Sequence, residues 1–136
     1  MKITIETLIN ADLASTWDAW NNPDDIVRWN AASDDWHTTS SRVDLRVGGS
    51  FSSRMEAKDG SMGFDFEGTY TEVEPQARLQ YRMADGREVL VTFEAVDGGV
   101  RVLETFDADQ QHDPDFQRQG WQSILDSFAR HVEAKG

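Results

Sequence analysis

A change of period constrains this chain more than any other feature. From Trp36 to Phe106 apolar residues recur at nearly every second position, and from Phe116 to Val132 they recur every three or four. The first pattern marks strands with one buried face, and the second marks an amphipathic helix. Val43, Leu45 and Val47 alternate with Arg42, Asp44 and Arg46, and after Gly48 and Gly49 come Phe51, Ser53 and Met55. Further alternating runs hold Phe64, Phe66 and Tyr70, then Leu79, Tyr81 and Met83, then Val89, Val91 and Phe93, then Val100, Val102 and Phe106. Turn residues separate them at "KDGSMG" (58–63), at Pro75, at Asp85-Gly86 and at Asp97-Gly98-Gly99. Connections this short join antiparallel neighbours. One large antiparallel sheet and one long helix bury their apolar faces by covering each other, so the expected class is α+β.

The flanks complete the order. Ile3, Ile5 and Thr7 alternate with Thr4, Glu6 and Leu8, which predicts a first strand. The period then lengthens through Leu13, Trp17 and Trp20, with Asp12 as the cap of a short helix. A second short helix follows: Asn22 caps it, Pro23 suits its first position, and Asp24 and Asp25 complement its dipole. Ile26, Val27 and Trp29 supply its apolar face. Asp113 and Pro114 open the long helix, which is predicted to run to about Lys135. The order is strand, two small helices, about six strands and a long helix, with no linker or repeat, as one domain over residues 1–136.

Within "DFQRQGWQSILDSFARHVEAK" the apolar stripe of Phe116, Trp121, Ile124, Leu125, Phe128 and Val132 is interrupted by Gly120. Glycine inside a helix costs about 1 kcal/mol relative to alanine. The expectation is that close approach of helix to sheet at Gly120 offsets this cost, with Trp121 turned toward an enclosed space.

Composition narrows the function classes. Thirteen basic and 25 acidic residues give a net charge of −12, spread along the chain. Such a surface repels nucleic-acid phosphates and anionic membranes. There is no cysteine, so disulfides, thiol catalysis and cysteinyl metal sites are excluded. "MKITIETLIN" lacks the apolar core of a signal peptide, and no apolar run approaches the ~20 residues of a membrane span. A cytoplasmic protein is expected, either a monomer or a homodimer.

Several stretches resemble a known family. "TWDAWNNPDDIVRW" is similar to the segment after the first strand in START-like proteins of the SRPBCC superfamily. "VDLRVGGSF", "FEGTYTEVEPQARLQYR" and "QGWQSILDSF" resemble the group named after the activator of heat-shock-protein-90 ATPase homologues. The resemblance covers nearly the whole chain, in the same motif order. It implies a helix-grip fold, in which a curved antiparallel sheet wraps the C-terminal helix and encloses a cavity. In the eukaryotic co-chaperone a further domain binds the chaperone, and 136 residues leave no room for both, so a chaperone partner receives little support. Relatives often carry two consecutive tryptophans where this chain has Trp29 and Asn30, which implies a more polar pocket mouth.

Candidate chemistry is sparse. In "GVRVLETF" Glu104 shares a face with Val100, Val102 and Phe106. An inward carboxylate must be paired or have its pKa raised, so Glu104 is a candidate ligand-orienting or acid/base group. The alternatives are the opposite phase, a bulge or a structural ion pair. Asp65 and Glu67 fall on the outer face of their strand, where Arg42, Asp44 and Arg46 are candidates for cross-strand pairing. Trp29, Asn30, Asp34, Asp35, Trp36 and His37 cluster before the sheet and are expected at a cavity entrance, or as a cap on the core.

His37, His112 and His131 lack metal-ligand spacing, "DADQQHDPD" lacks the calcium-loop pattern, and no serine motif accompanies a histidine base. No cofactor motif is present, since the glycines of "GGS" serve a turn. The expected site is a cavity for a small, largely hydrophobic molecule, walled by Trp29, Trp36, Met55, Phe64, Phe66, Tyr81, Phe93, Trp121 and Leu125, with Glu104 inside. Catalysis on such a ligand by Glu104 or His37, and a filled-core interaction or co-chaperone module, are the competing readings.

Overall fold

The computed structural model describes residues 1–135. Its elements are β1 (Lys2–Ile9), α1 (Leu13–Asn21), α2 (Pro23–Trp29), β2 (Trp36–Val43), β3 (Ser50–Ala57), β4 (Gly63–Glu74), β5 (Arg78–Met83), β6 (Glu88–Val96), β7 (Gly99–Asp107) and α3 (Pro114–Lys135). The strands form one antiparallel sheet in the order β1-β7-β6-β5-β4-β3-β2. Successive hairpins build this meander, and β1 closes its far edge by pairing with β7, Ile5 opposite Glu104. The sheet curls around α3, the helix-grip arrangement that the resemblance implies.

Local chemistry starts each helix. Asp12 accepts a hydrogen bond from the Ser15 amide at 2.8 Å, and Asn22 accepts one from Asp24 at 3.0 Å, with Pro23 in the first turn of α2. The Asp113 carboxylate accepts from the Asp115 amide at 2.8 Å at the head of α3. Each bond satisfies an amide that a helix start leaves without an intrahelical partner.

The core lies between the concave sheet face and α3. Ile3, Ile9, Leu79, Val89, Val91, Val100, Val102 and Phe106 meet Leu125, Phe128 and Val132 there, all buried. Helix α2 is tied to α3 through Asp25, which is 7% exposed. Its Oδ1 accepts hydrogen bonds from Lys135 Nζ at 2.7 Å and His131 Nε2 at 2.9 Å. Burial alone would raise the Asp25 pKa, but these two partners outweigh it and hold the carboxyl below its ordinary range.

Four expectations need correction. The run through Leu45 and Val47 is not strand, because β2 ends at Val43. Asp44 and Arg46 turn the chain instead, the Gly49 amide donating to the Arg46 carbonyl at 2.8 Å, and Val47 is 63% exposed. The stripe of α3 does not include Phe116, which is 67% exposed. Buried Gln117 takes that register, donating to the Asp109 and His112 carbonyls and accepting from the Asp109 amide.

The third correction concerns Gly120, which makes no close approach. A Cβ built there meets nothing within 4 Å, because Trp121, Leu125 and Phe128 carry the helix-to-sheet contact. Finally, Asp65 on the outer face of β4 is met by Arg54 of β3 at 3.4 Å, while Arg46 pairs with Asp44 in its own turn.

Candidate functional site

Between the concave sheet face and α3 lies a cavity of about 300 Å³. Its walls follow from strand phase. On β3 the inward positions are Phe51, Ser53 and Met55; on β4 they are Phe64, Phe66, Gly68 and Tyr70; on β5, Leu79 and Tyr81. Tyr70 and Tyr81 stand opposite each other in register. Gly68, between them and Phe66, leaves room for rings from both neighbouring strands. A Cβ there would stand 2.9 Å from Phe51 and 3.1 Å from Tyr81, whose rings meet edge-on with centroids 4.7 Å apart.

The helices supply the roof. Trp121 of α3 lies flat on Phe106, with centroids 4.0 Å apart and planes at 8°, and it faces the edge of Phe66 at 6.2 Å. Trp20 and Trp29 pack together at 5.0 Å and both rest on Phe128. The Trp29 indole donates to the Ala19 carbonyl at 2.9 Å, which satisfies its one polar atom inside the core.

Glu104 reaches the cavity from β7. It is 5% exposed, and its neighbours across the ladder are Ile5 of β1 and Val91 of β6, both buried. Among the described residues no hydrogen bond or ion pair reaches its carboxyl group. Burial pushes its pKa up to about 8. The phenol of Tyr81 is raised as well, first by its own burial and then by the nearby Glu104 charge. Burial likewise raises Tyr70, with Asp44 adding to the effect. Arg87 and Asp109, 3.8 Å apart, are the other charged side chains on the wall.

The predicted wall residues therefore divide. Trp29, Met55, Phe64, Phe66, Tyr81, Glu104 and Trp121 line the cavity, with Phe64 at the mouth, 47% exposed. Trp36, Phe93 and Leu125 do not. Trp36 packs 5.9 Å from Phe64 and, with His37, lines a separate surface groove. Phe93 is buried under Trp17 and Trp20, and Leu125 is fully buried in the core. Asn30 is on the cavity wall, its amide nitrogen 3.9 Å from the Met55 sulfur, so a polar group does stand beside Trp29.

Sequence reasoning did not single out Trp20, Phe51, Arg87 or Asp109 as wall residues, while Tyr70 shares the aromatic face of Phe64 and Phe66 that alternation places toward the core or cavity. For Phe51 the signal was present, since it shares a strand face with Met55. Among the described residues no cluster of three or more His, Cys, Asp or Glu is placed to hold a metal ion. No described helix is long and apolar enough to cross a membrane.

Residues 10–133 match the family model described as activator of Hsp90 ATPase homolog 1-like protein. The chain belongs to this family. It is similar to an AHSA1-like protein from Aeromonas hydrophila, known from a solution NMR structure, at 60% identity and a TM-score of 0.94, over 100% of this chain and 94% of that one. A protein from Cytophaga hutchinsonii, also solved in solution, is 38% identical with a TM-score of 0.85, over 98% and 93% of the two chains. A crystal structure from Nitrosomonas europaea shares the fold at 17% identity and a TM-score of 0.88, over 99% and 96%. No curated protein matches the sequence. Membership explains the motif order seen in the sequence.

Proposed function

We propose that this protein is a binding module for a small, largely apolar molecule held between the sheet and α3. The observation that carries the reading is the cavity itself. Side chains do not fill it, eight of its eighteen lining residues are aromatic, and one buried carboxyl group, that of Glu104, lies in its wall. Its volume, about 300 Å³, is at the lower end for small-molecule sites. Aromatic walls give affinity through apolar burial, and a small number of polar groups give orientation. An open cavity weighs against the filled-core interaction module.

Native mass spectrometry of the protein purified from its own host, set beside a denatured sample, tests this. A small molecule that leaves on denaturation, and is depleted in Trp121→Ala, is the expected result. Bare protein mass, together with no change in tryptophan fluorescence on adding 2-(2-naphthyl)ethanol, would overturn the reading.

One observation favours a second reading, acid–base catalysis on the bound molecule. Burial pushes the Glu104 pKa up to about 8 inside the cavity, toward the range in which a carboxyl group can act as a general acid or base at neutral pH. His37 is not on this wall, which leaves Glu104 as the group to test. A Glu104→Gln variant that binds the molecule without converting it would support catalysis.

A further inference from the structure

The cavity contains one ionisable group that the fold does not answer. Every element around Glu104 presents an uncharged side chain to it or one that does not neutralise it. Ile5 and Val91 flank it on β1 and β6, Val102 and Phe106 share its face of β7, and α3 contributes Trp121 and Ile124 to the cavity. Tyr81 and Tyr70 are the phenols on β5 and β4, both shifted toward their neutral forms. Arg87 is already engaged, 2.7 Å from Asp85 and 3.8 Å from Asp109.

An acid in this position is unfavourable for the free protein, since a leucine or methionine would fill the same space without desolvating a carboxyl group. Three features of the cavity favour a positive partner. A carboxylate in low dielectric attracts a cation strongly. The faces of the surrounding tryptophan, phenylalanine and tyrosine rings carry negative potential and attract cations too. The net charge of −12 enriches cations and depletes anions near the mouth. A carboxylate with no internal hydrogen bond also offers acceptor sites that the N–H groups of a primary ammonium fit.

We infer that the ligand is an apolar primary amine, held as its ammonium with the nitrogen on Glu104 and the hydrophobic part between Phe51, Phe66, Trp29 and Trp121. This rests on the cavity being the ligand site, as proposed above. The protons balance in a way that can be counted. Burial raises the Glu104 pKa to about 8, so in the free protein at pH 7 the protonated form dominates. The amine arrives already protonated, with a pKa of about 10 like that of lysine. The ion pair forms when Glu104 gives its proton to solvent, so binding at pH 7 releases protons.

The test uses two probes that differ only in the head group, 2-(2-naphthyl)ethylamine and 2-(2-naphthyl)ethanol. Each is titrated calorimetrically into the full chain at pH 7, in two buffers of different ionisation enthalpy. The amine is expected to bind about tenfold or more tightly than the alcohol, with net release of protons, while the alcohol releases none. In Glu104→Gln the amine loses its advantage over the alcohol and its proton release. Alcohol binding equal to or tighter than amine binding, or amine binding without proton release, overturns the inference and leaves the cavity an apolar site. If neither probe binds, the cavity reading fails and the inference with it. The wild-type comparison needs no variant, so a poorly folding Glu104→Gln would not rescue the proposal.

Discussion

Two buried carboxylates in this protein have opposite surroundings. Asp25, 7% exposed, is held between Lys135 and His131 where α2 meets α3. Glu104, 5% exposed, faces a cavity, and among the described residues no hydrogen bond or ion pair reaches its carboxyl group. The first is pulled below its ordinary pKa and the second is pushed up to about 8. A buried charge with its partners built in serves the fold, and a buried acid without them is a cost that the free protein carries. Equal burial therefore does not mean equal role; what decides is whether the fold supplies the partner.

Their pH dependences run in opposite directions. For Glu104 the folded pKa lies above the unfolded one, so the native state binds more protons and stability falls as pH rises from about 4.5 to about 8. The full loss is on the order of 4–5 kcal/mol. The largest expected effect is therefore a gain. Glu104→Gln has no carboxyl to ionise, so denaturant unfolding at pH 9 is expected to show it several kcal/mol more stable than wild type, with the difference shrinking toward pH 5. A variant less stable than wild type at pH 9 would break the contrast by revealing a partner for Glu104.

Asp25 behaves in the ordinary way for a paired acid. Its contribution is present above the unfolded pKa and is lost as pH falls through the lower folded value. Asp25→Asn is expected to cost about 2 kcal/mol at pH 7, since it weakens two charge-assisted hydrogen bonds at a buried site. In acid the variant and wild type should converge. Urea denaturation at pH 7 and pH 3 checks both points.

The smallest effect is a control on the helix that borders both regions. Gly120→Ala meets open space, so it is expected to raise stability by about 0.5–1 kcal/mol through helix propensity and a less flexible unfolded chain. It should leave the Glu104 and Asp25 pH slopes unchanged. A loss of stability there would restore the close packing that the sequence suggested.

How far the sequence could be read depended on whether a feature was local. Asp12, Asn22 and Pro23 act within one helical turn, and the helix starts they predict are the ones found. The alternation of Val100, Val102 and Phe106 pointed to an inward Glu104, and the burial pattern of β7 resolves this against the opposite phase that the sequence left open. Alternation names a face, however, and not the part of that face that stays uncovered. Phe93 and Leu125 point inward but are covered by neighbours, while Phe51 and Tyr70, on the same kind of face, border open space.

Val47 continued the alternation after the strand had already turned. Gly68 carried no sequence signal, because its role depends on rings from two other strands. The pairing of Asp25 with residues more than 100 positions away was equally hidden, since it depends on where α3 ends against α2.

The most direct measurement is an NMR titration of the side-chain carboxyl carbons in the ligand-free protein, with Glu104 and Asp25 assigned through Glu104→Gln and Asp25→Asn. The predicted result is a Glu104 midpoint near 8 and an Asp25 midpoint below the ordinary carboxylate range. A Glu104 midpoint in the usual range for glutamate, near 4.5, would contradict the unpartnered acid and remove the basis for a cation in the cavity.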